Sequence, residues 1–373
     1  MYRIEYERNG VVYPVLRPVD NVYKIFSGSY HRETNGAGKL TFAVRFHHPS
    51  LLFFRRYEGI VSLYDDWLLL FRARIVDIKT DHFGSCYVEC EGVLAFLNDT
   101  IVPPYIFNET NHIHPGDMSN NCRYPLFVKE IVNLHNAMST PSHQFVFISE
   151  TGGAYSDLKF TTSSQSYDTA WTNILTKGLN NIGGYLEVRY TDTENQLVLR
   201  SEITRRSTQS IRQGVNLKSL RIGSDGEPFA TSIYPISKYT DENGKQQTIG
   251  VASVNDNVDY IDNPGAVSQY GRIVRFVQYE GISSPLELKR IATADLVNKY
   301  LTRPTVYEVE AVDATNIDQT APLEVDTLVP IISTKPEVNT VEPLNVIDVD
   351  LVEPQNLQLK FNDSVRSLAG YRR

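Results

Sequence analysis

A chain of 373 residues is long for one core, and roughly two to four domains is the natural expectation. Apolar residues make up 41%, and 22 Tyr and 16 Phe against 3 Met lean toward β structure. A net charge of −8 excludes an overall basic field for nucleic acid, though an acidic wall still lets DNA pass without sticking.

MYRIEYERNG has no basic segment followed by an apolar one, so no signal peptide is expected. No apolar run reaches the roughly 18 residues of a membrane span. Three cysteines suit synthesis in a reducing cytoplasm without a disulfide framework. Cys86 and Cys90 lie four apart on a predicted strand, about 13 Å at roughly 3.3 Å per residue. They can neither bridge nor share a metal, and read as buried small hydrophobes.

Residues 1–102 read as all-β. Tyr2, Ile4 and Tyr6 alternate, Arg8-Asn9-Gly10 is a hairpin turn, and Val11 to Leu16 answers it. The Gly-rich loop Glu33 to Gly38 lacks the following helix and Lys-Ser/Thr pair of a phosphate cradle, so an ordinary turn is expected. Leu40, Phe42, Val44 and Phe46 form the next strand, and Gly59 to Tyr64 another. Asp65-Asp66 turns into Leu68 to Lys79; after a polar turn, Cys86, Val88 and Cys90 share one strand face. Gly92 ends that strand, and Val93 to Leu97 starts an apolar helical turn.

Residues 103–205 read as α+β. A loop lacking periodicity, 103–125, precedes a helix from Leu126 to Met138, and Phe145 to Ile148 is a strand. A second helix, from about Ser166 to Leu179, carries Trp171, Ile174, Leu175 and Leu179 on one face. Gly183-Gly184 then opens a hairpin, Tyr185 to Tyr190 with Leu197 to Arg200. Residues 206–240 return to β, through Leu217 to Ile222 and Phe229 to Pro235. Asp241 to Lys245 is a turn and Tyr270 to Tyr279 a strand. Ser284-Pro285-Leu286-Glu287 is a capping box, and the helix it starts must end by Arg303-Pro304. From Thr305 the chain is β again. Ile75 to Ile78 with Ser85 to Val88 has the outline of Val346 to Val349 with Asn356 to Leu359, Asp77 falling on Asp348. A duplicated barrel follows as a hypothesis.

Candidate chemistry is sparse. His112 and His114, with Asp117, Cys122 and His135, form the cluster that could hold a metal, but nothing fixes the ligand set, and solvated loop histidines are the reading taken. Cys122 with His135 as nucleophile and base rests on equally little. Glu130 with Glu150, or Asp65 with Asp66, would have to act as a glycosidase pair, and solvated carboxylates are the default. Tyr105, Tyr124 and Tyr155 could stack on sugars but read as packing. Arg366, Arg372 and Arg373 read as a solvated end or a subunit contact. The residues by themselves assign no catalytic, cofactor-binding or metal residue.

A strand reading L-x-F-R-x-R-I at Leu69 to Ile75, a polar turn, and C-x-G-x-L-A-F-L-N-D at Cys90 to Asp99 resemble the tail-associated (Tal-like) hub proteins of siphophages. These are grouped with the prophage endopeptidase-tail family. Trp171, Gly183 to Leu186, Val188 to Tyr190, Gly271 to Val274, and Tyr307 to Val309 with Ala311 to Asp313 resemble further steps of that family in order. The resemblance implies a mainly β fold with α+β insertions, similar to the baseplate hub of contractile-tailed phages. It implies two related barrels, 1–102 and 206–240 plus 303–373, with α+β domains 103–205 and 241–302.

It further implies a structural protein of the virion's tail tip, made in the host cytoplasm. The expected form is a homotrimer that closes the tube against the distal tail protein ring and opens for DNA. Receptor-binding proteins and the tape-measure protein are its other implied partners. Longer members carry a lytic or fibre module; here the chain stops at Arg373, where the second barrel should close, so the hydrolase part does not transfer. The alternatives are a tail-associated peptidoglycan hydrolase and a carbohydrate-binding adhesion module.

Overall fold

The computed structural model describes residues 1–108, 111–113, 123–152, 160–191, 193–224, 229–241, 245–301, 305–315 and 320–362. Among the described residues its backbone is one 13-stranded sheet, built from the first and last strands of the chain order, with two α+β units inserted. The sheet's strands in chain order are β1 (Tyr2–Arg8), β2 (Val11–Leu16), β3 (Ser27–Glu33), β4 (Lys39–Val44), β5 (Ile60–Asp65), β6 (Leu68–Thr80) and β7 (Cys86–Gly92). After the first unit come β8 (Ile211–Arg212) and β9 (Leu217–Ser224). After the second come β10 (Thr305–Ala311), β11 (Leu328–Thr334), β12 (Glu337–Asp350) and β13 (Leu357–Phe361).

Local chemistry accounts for the turns. Asn9 and Gly10 both take positive φ, 54° and 74°, the geometry that joins β1 to β2 as a tight hairpin. At the β6–β7 turn the Asp81 carboxylate accepts from the Phe83 and Ser85 amides at 2.9 and 2.8 Å, and Gly84 takes φ 80°. Phe46 does not extend β4: the strand ends at Val44, the His48 amide bonds Arg45 O, and Phe46 is exposed.

The strand order is β9-β10-β13-β12-β3-β4-β7-β6-β5-β1-β2, with β11 on the first half of β12 and β8 on β11. The run β3-β4-β7-β6-β5 therefore repeats as β9-β10-β13-β12-β11. Each long strand, β6 and β12, pairs with one neighbour over its first half and breaks register once against the next hairpin strand. The breaks lie between Ile75 and Asp77 and between Leu344 and Val346. Just outside them, the amides of Tyr57 and Asp326 bond Ile75 O and Leu344 O at 2.8 and 2.9 Å. Both residues hold the left-handed conformation, φ 59° and 61°. Ile75 thus corresponds to Leu344 and Lys79 to Asp348. The equation of Asp77 with Asp348 is corrected by two residues. The turn after β12 is longer than Asp81 to Ser85, so an alignment of equal spacing slides the first strand. Tyr87 does correspond to Gln358, as the spacing suggested.

One apolar core runs under both blocks, from Ile4, Phe42 and Phe71 to Ile347, Leu359 and Phe361. The first α+β unit has its own core, in which the helix Tyr124–Met138 buries Phe127, Val128 and Ile131 beside Trp171 and Ile174. Its sheet places Asn195–Arg200 between Phe145–Glu150, parallel, and Tyr185–Tyr190, antiparallel. The second helix starts at Ala170, not Ser166. Asp168–Thr169 is tied to Ile101–Val102 as a short ladder, and the Thr169 hydroxyl caps the helix by accepting from the Thr172 amide at 3.0 Å.

In the second unit Ser232–Thr240 pairs with Gln246–Gly250, Ile261–Asp262 and Val274–Glu280. The stretch 229–240, read as part of the second barrel, thus pairs away from the large sheet, and we place the insertion's start ahead of it. The reading of Tyr270 as strand is also corrected. Pro264–Tyr270 is a helix, capped by the Asn263 side chain accepting from the Ala266 amide at 3.0 Å, and the strand begins at Val274. Ser284 caps the last helix as the motif predicts, and Leu288, Ala292 and Leu296 are buried, with Ile291 half-buried. The limit at Arg303-Pro304 lies outside the described residues.

Candidate functional surface

The candidate side chains among the described residues are committed to contacts within the fold. Glu130, fully buried, accepts from the Ile113 amide at 2.7 Å and pairs with His112 Nδ1 at 2.6 Å. His135 bonds Thr100 Oγ1 at 2.7 Å and His143 O at 3.0 Å, and burial lowers its pKa. Glu150 instead meets Arg189, 2.7 Å from each carboxylate oxygen, so it shares no site with Glu130. Asp65 and Asp66 both accept from the Met1 amino group at 2.7 Å. Tyr105 donates to Asn173 at 2.9 Å in the core, and Tyr124 packs against Gly178. Cys86 and Cys90 are buried free thiols. His114, Asp117, Cys122, Tyr155, Arg366, Arg372 and Arg373 lie outside the described residues. Among the described residues no His, Cys, Asp and Glu group could hold a metal ion, and no helix is long and apolar enough to cross a membrane.

What the fold does build is a face. Strand alternation turns Tyr30, Leu40, Phe42, Val88, Cys90, Ile347, Val349 and Leu359 into the core. The same alternation puts a polar row on the other side, unbroken across the two blocks. Its carboxylates are Glu308, Glu310, Asp348, Asp350, Glu33, Glu89, Glu91 and Asp77, and its bases Arg221, Lys360, Lys39 and Lys79. Lys39 meets Glu89 at 2.5 Å, and Lys79 meets Asp77 at 3.0 Å. Arg56 meets Asp77 at 2.5 Å, Arg74 meets Glu91 at 2.6 Å and His31 lies between Asp348 and Glu33, so carboxylates and bases interleave along the row. Composition alone could not show this, because neighbours on the face come from strands hundreds of residues apart.

The blocks meet where β12 pairs with β3, Asp348 opposite His31 and Val349 opposite Tyr30. His31 Nδ1 lies 2.6 Å from Asp348 and Nε2 3.8 Å from Glu33. The Asp348 hydrogen bond, with Glu33 second, pushes the His31 pKa up from 6.5 to about 9. Beneath the seam the buried Asp326 accepts from the Thr34 hydroxyl at 2.6 Å, and burial pushes its pKa up to about 6. A raised folded-state pKa on histidine means the cation stabilises the seam. That contribution is full below pH 6.5 and lost as pH rises through about 9. Thermal melts of the protein and of His31→Gln should differ at pH 6 and converge near pH 10. A gap that stays constant with pH would mean that the imidazolium contributes nothing.

Residues 204–371 match the prophage endopeptidase tail family, and no curated protein matches the chain. The 43 kDa tail protein of prophage MuSo2 from Shewanella oneidensis is 12% identical, with 97% of this chain and 98% of that one covered and a TM-score of 0.62. A tail protein from Neisseria meningitidis MC58 is 9% identical over 96% of both chains, TM-score 0.63. An Escherichia coli component of the type VI secretion system, described as similar to the T4 tail proteins gp27 and gp5, is 8% identical. It covers 95% of this chain and 75% of its own, TM-score 0.50. The fold is thus that of phage tail and baseplate-hub proteins, mainly β with α+β units. Together with the match over residues 204–371, it bears out the resemblance to the prophage tail family read from the strand and turn patterns.

Proposed function

We propose that the protein is a trimeric hub that closes the distal end of a phage tail tube and opens for DNA passage. The observation that carries this reading is the repeated strand block within a single sheet whose polar face runs across both copies. Three chains would then present six such blocks in a ring, with the polar face toward the axis. Duplex DNA carries one charge per about 1.7 Å of axis, and a wall whose bases are largely paired with carboxylates gives it little to lodge on. The role is structural rather than catalytic: His112 and His135, the described members of the histidine cluster, and Glu130 of the candidate carboxylate pair hold the first α+β unit together. The distal tail ring would seat the hub, and receptor-binding and tape-measure proteins would approach it from either end. The test is the solution mass by light scattering, alone and with the distal tail protein of the same phage. A trimer in either condition is the expected result; a monomer in both would overturn the reading.

A further inference from the structure

We propose that three copies join by strand pairing, the second half of β6 in one copy taking the free edge of β9 in the next. The inference rests on the trimeric reading above. Within the chain, the second half of β12 bonds β3 and so joins the two blocks. The block repeat makes β6 the counterpart of β12, and β9 the counterpart of β3. Among the described residues those two strands lack that partner: β9 has β10 along its ladder and a single bridge from Leu217 to Gln213, and β6 has β5 as far as Ala73.

The anchors of the repeat set the register. Lys79 stands for Asp348 and Thr80 for Val349, while Gly223 stands for His31, Ile222 for Tyr30 and Arg221 for Ser29. Lys79 of one copy then faces Gly223 of the next, Thr80 faces Ile222, and Asp81 comes opposite Arg221. Three features of the bare edge fit this. Tyr30 is 6% exposed under β12, whereas its counterpart Ile222, an apolar residue on the core side, is 44% exposed among the described residues. Arg221 is exposed and would meet an acid. The loop bond from the Tyr57 amide to Ile75 O is no obstacle, since its twin from Asp326 to Leu344 O coexists with the pairing to β3. Arg56, which donates to Ile78 O at 3.0 Å and pairs with Asp77 at 2.5 Å, is 53% exposed, and the pairing requires it to give up the Ile78 carbonyl. A bare strand edge invites such pairing, and a head-to-tail contact of this kind closes a ring.

Two variants test it, each on the full chain with the distal tail protein present. Lys79→Cys/Gly223→Cys, oxidised with diamide, should give a covalent trimer on non-reducing gels, while either single variant should not. A Cβ at Gly223 meets no atom within 4 Å, so the fold tolerates it. Arg221→Glu should weaken trimer formation on the order of tenfold or more, because it sets like charges opposite one another. A double-cysteine protein that is trimeric by mass yet never cross-links, with Arg221→Glu still trimeric, would overturn this seam and leave the hub reading standing. A wild-type monomer beside its tail ring would overturn both.

Discussion

Gly92→Ala should destabilise the protein by about 3 kcal/mol or more, although it adds a single methyl group. A Cβ at Gly92 would lie 1.8 Å from Ala37 O and 2.7 Å from the Phe71 ring. The first is backbone and cannot yield, because the Gly92 amide bonds Gly38 O at 3.2 Å and holds that loop against the end of β7. Phe71 is 1% exposed and packs on Tyr30 with ring centroids 5.2 Å apart, so the second cannot yield either. Gly10→Ala is the control. It sits at φ 74° in open space and should cost only about 1 kcal/mol. Thermal melts of the two variants decide the matter, and Gly92→Ala melting level with the control would mean that the loop 33–38 is not held where the structure places it.

Replacing Arg74 by Ala should cost about 2 to 3 kcal/mol, less than a fully buried pair because its partners are partly exposed. Arg74 Nε donates to Glu91 at 2.7 Å and Nη2 to Asp99 at 2.9 Å, with the guanidinium 5.0 Å from the Phe96 ring centroid and 5.4 Å from that of Tyr57. It fastens β6 to β7 and to the helical turn that leads into the first α+β unit. Arg74→Lys should not restore the loss, since an ammonium cannot hold two carboxylates in a fork. Chemical denaturation of the three proteins measures this. A lysine variant as stable as wild type would reduce the contact to simple charge pairing.

Local chemistry made much of this molecule legible in advance. The Asn9-Gly10 turn, the alternation of Cys86, Val88 and Cys90, and the Ser284 cap with Pro285 depend on neighbours within a few residues, and each stands as read. The helix at Pro264–Tyr270 opens on Asn263-Pro264, a cap and first-turn proline like Ser284-Pro285, but its apolar stripe is too short to mark it in the sequence. Where distant chain competes for a backbone, sequence was a weaker guide. Ser166 to Thr169 looked helical until Ile101–Val102 took up the ladder, and Ser232–Thr240 could as well have joined either sheet.

The sequence by itself determined the β-rich class, the family resemblance and the duplicated hairpin, because turn signals, caps and alternating faces are local properties. Only the tertiary structure decided the rest. It set the register of that duplication, the seam of His31 with Asp348, the polar face, and the two edges left open at β6 and β9. Each of these depends on which strands become neighbours, and burial of one common core settles that across three hundred residues of intervening chain.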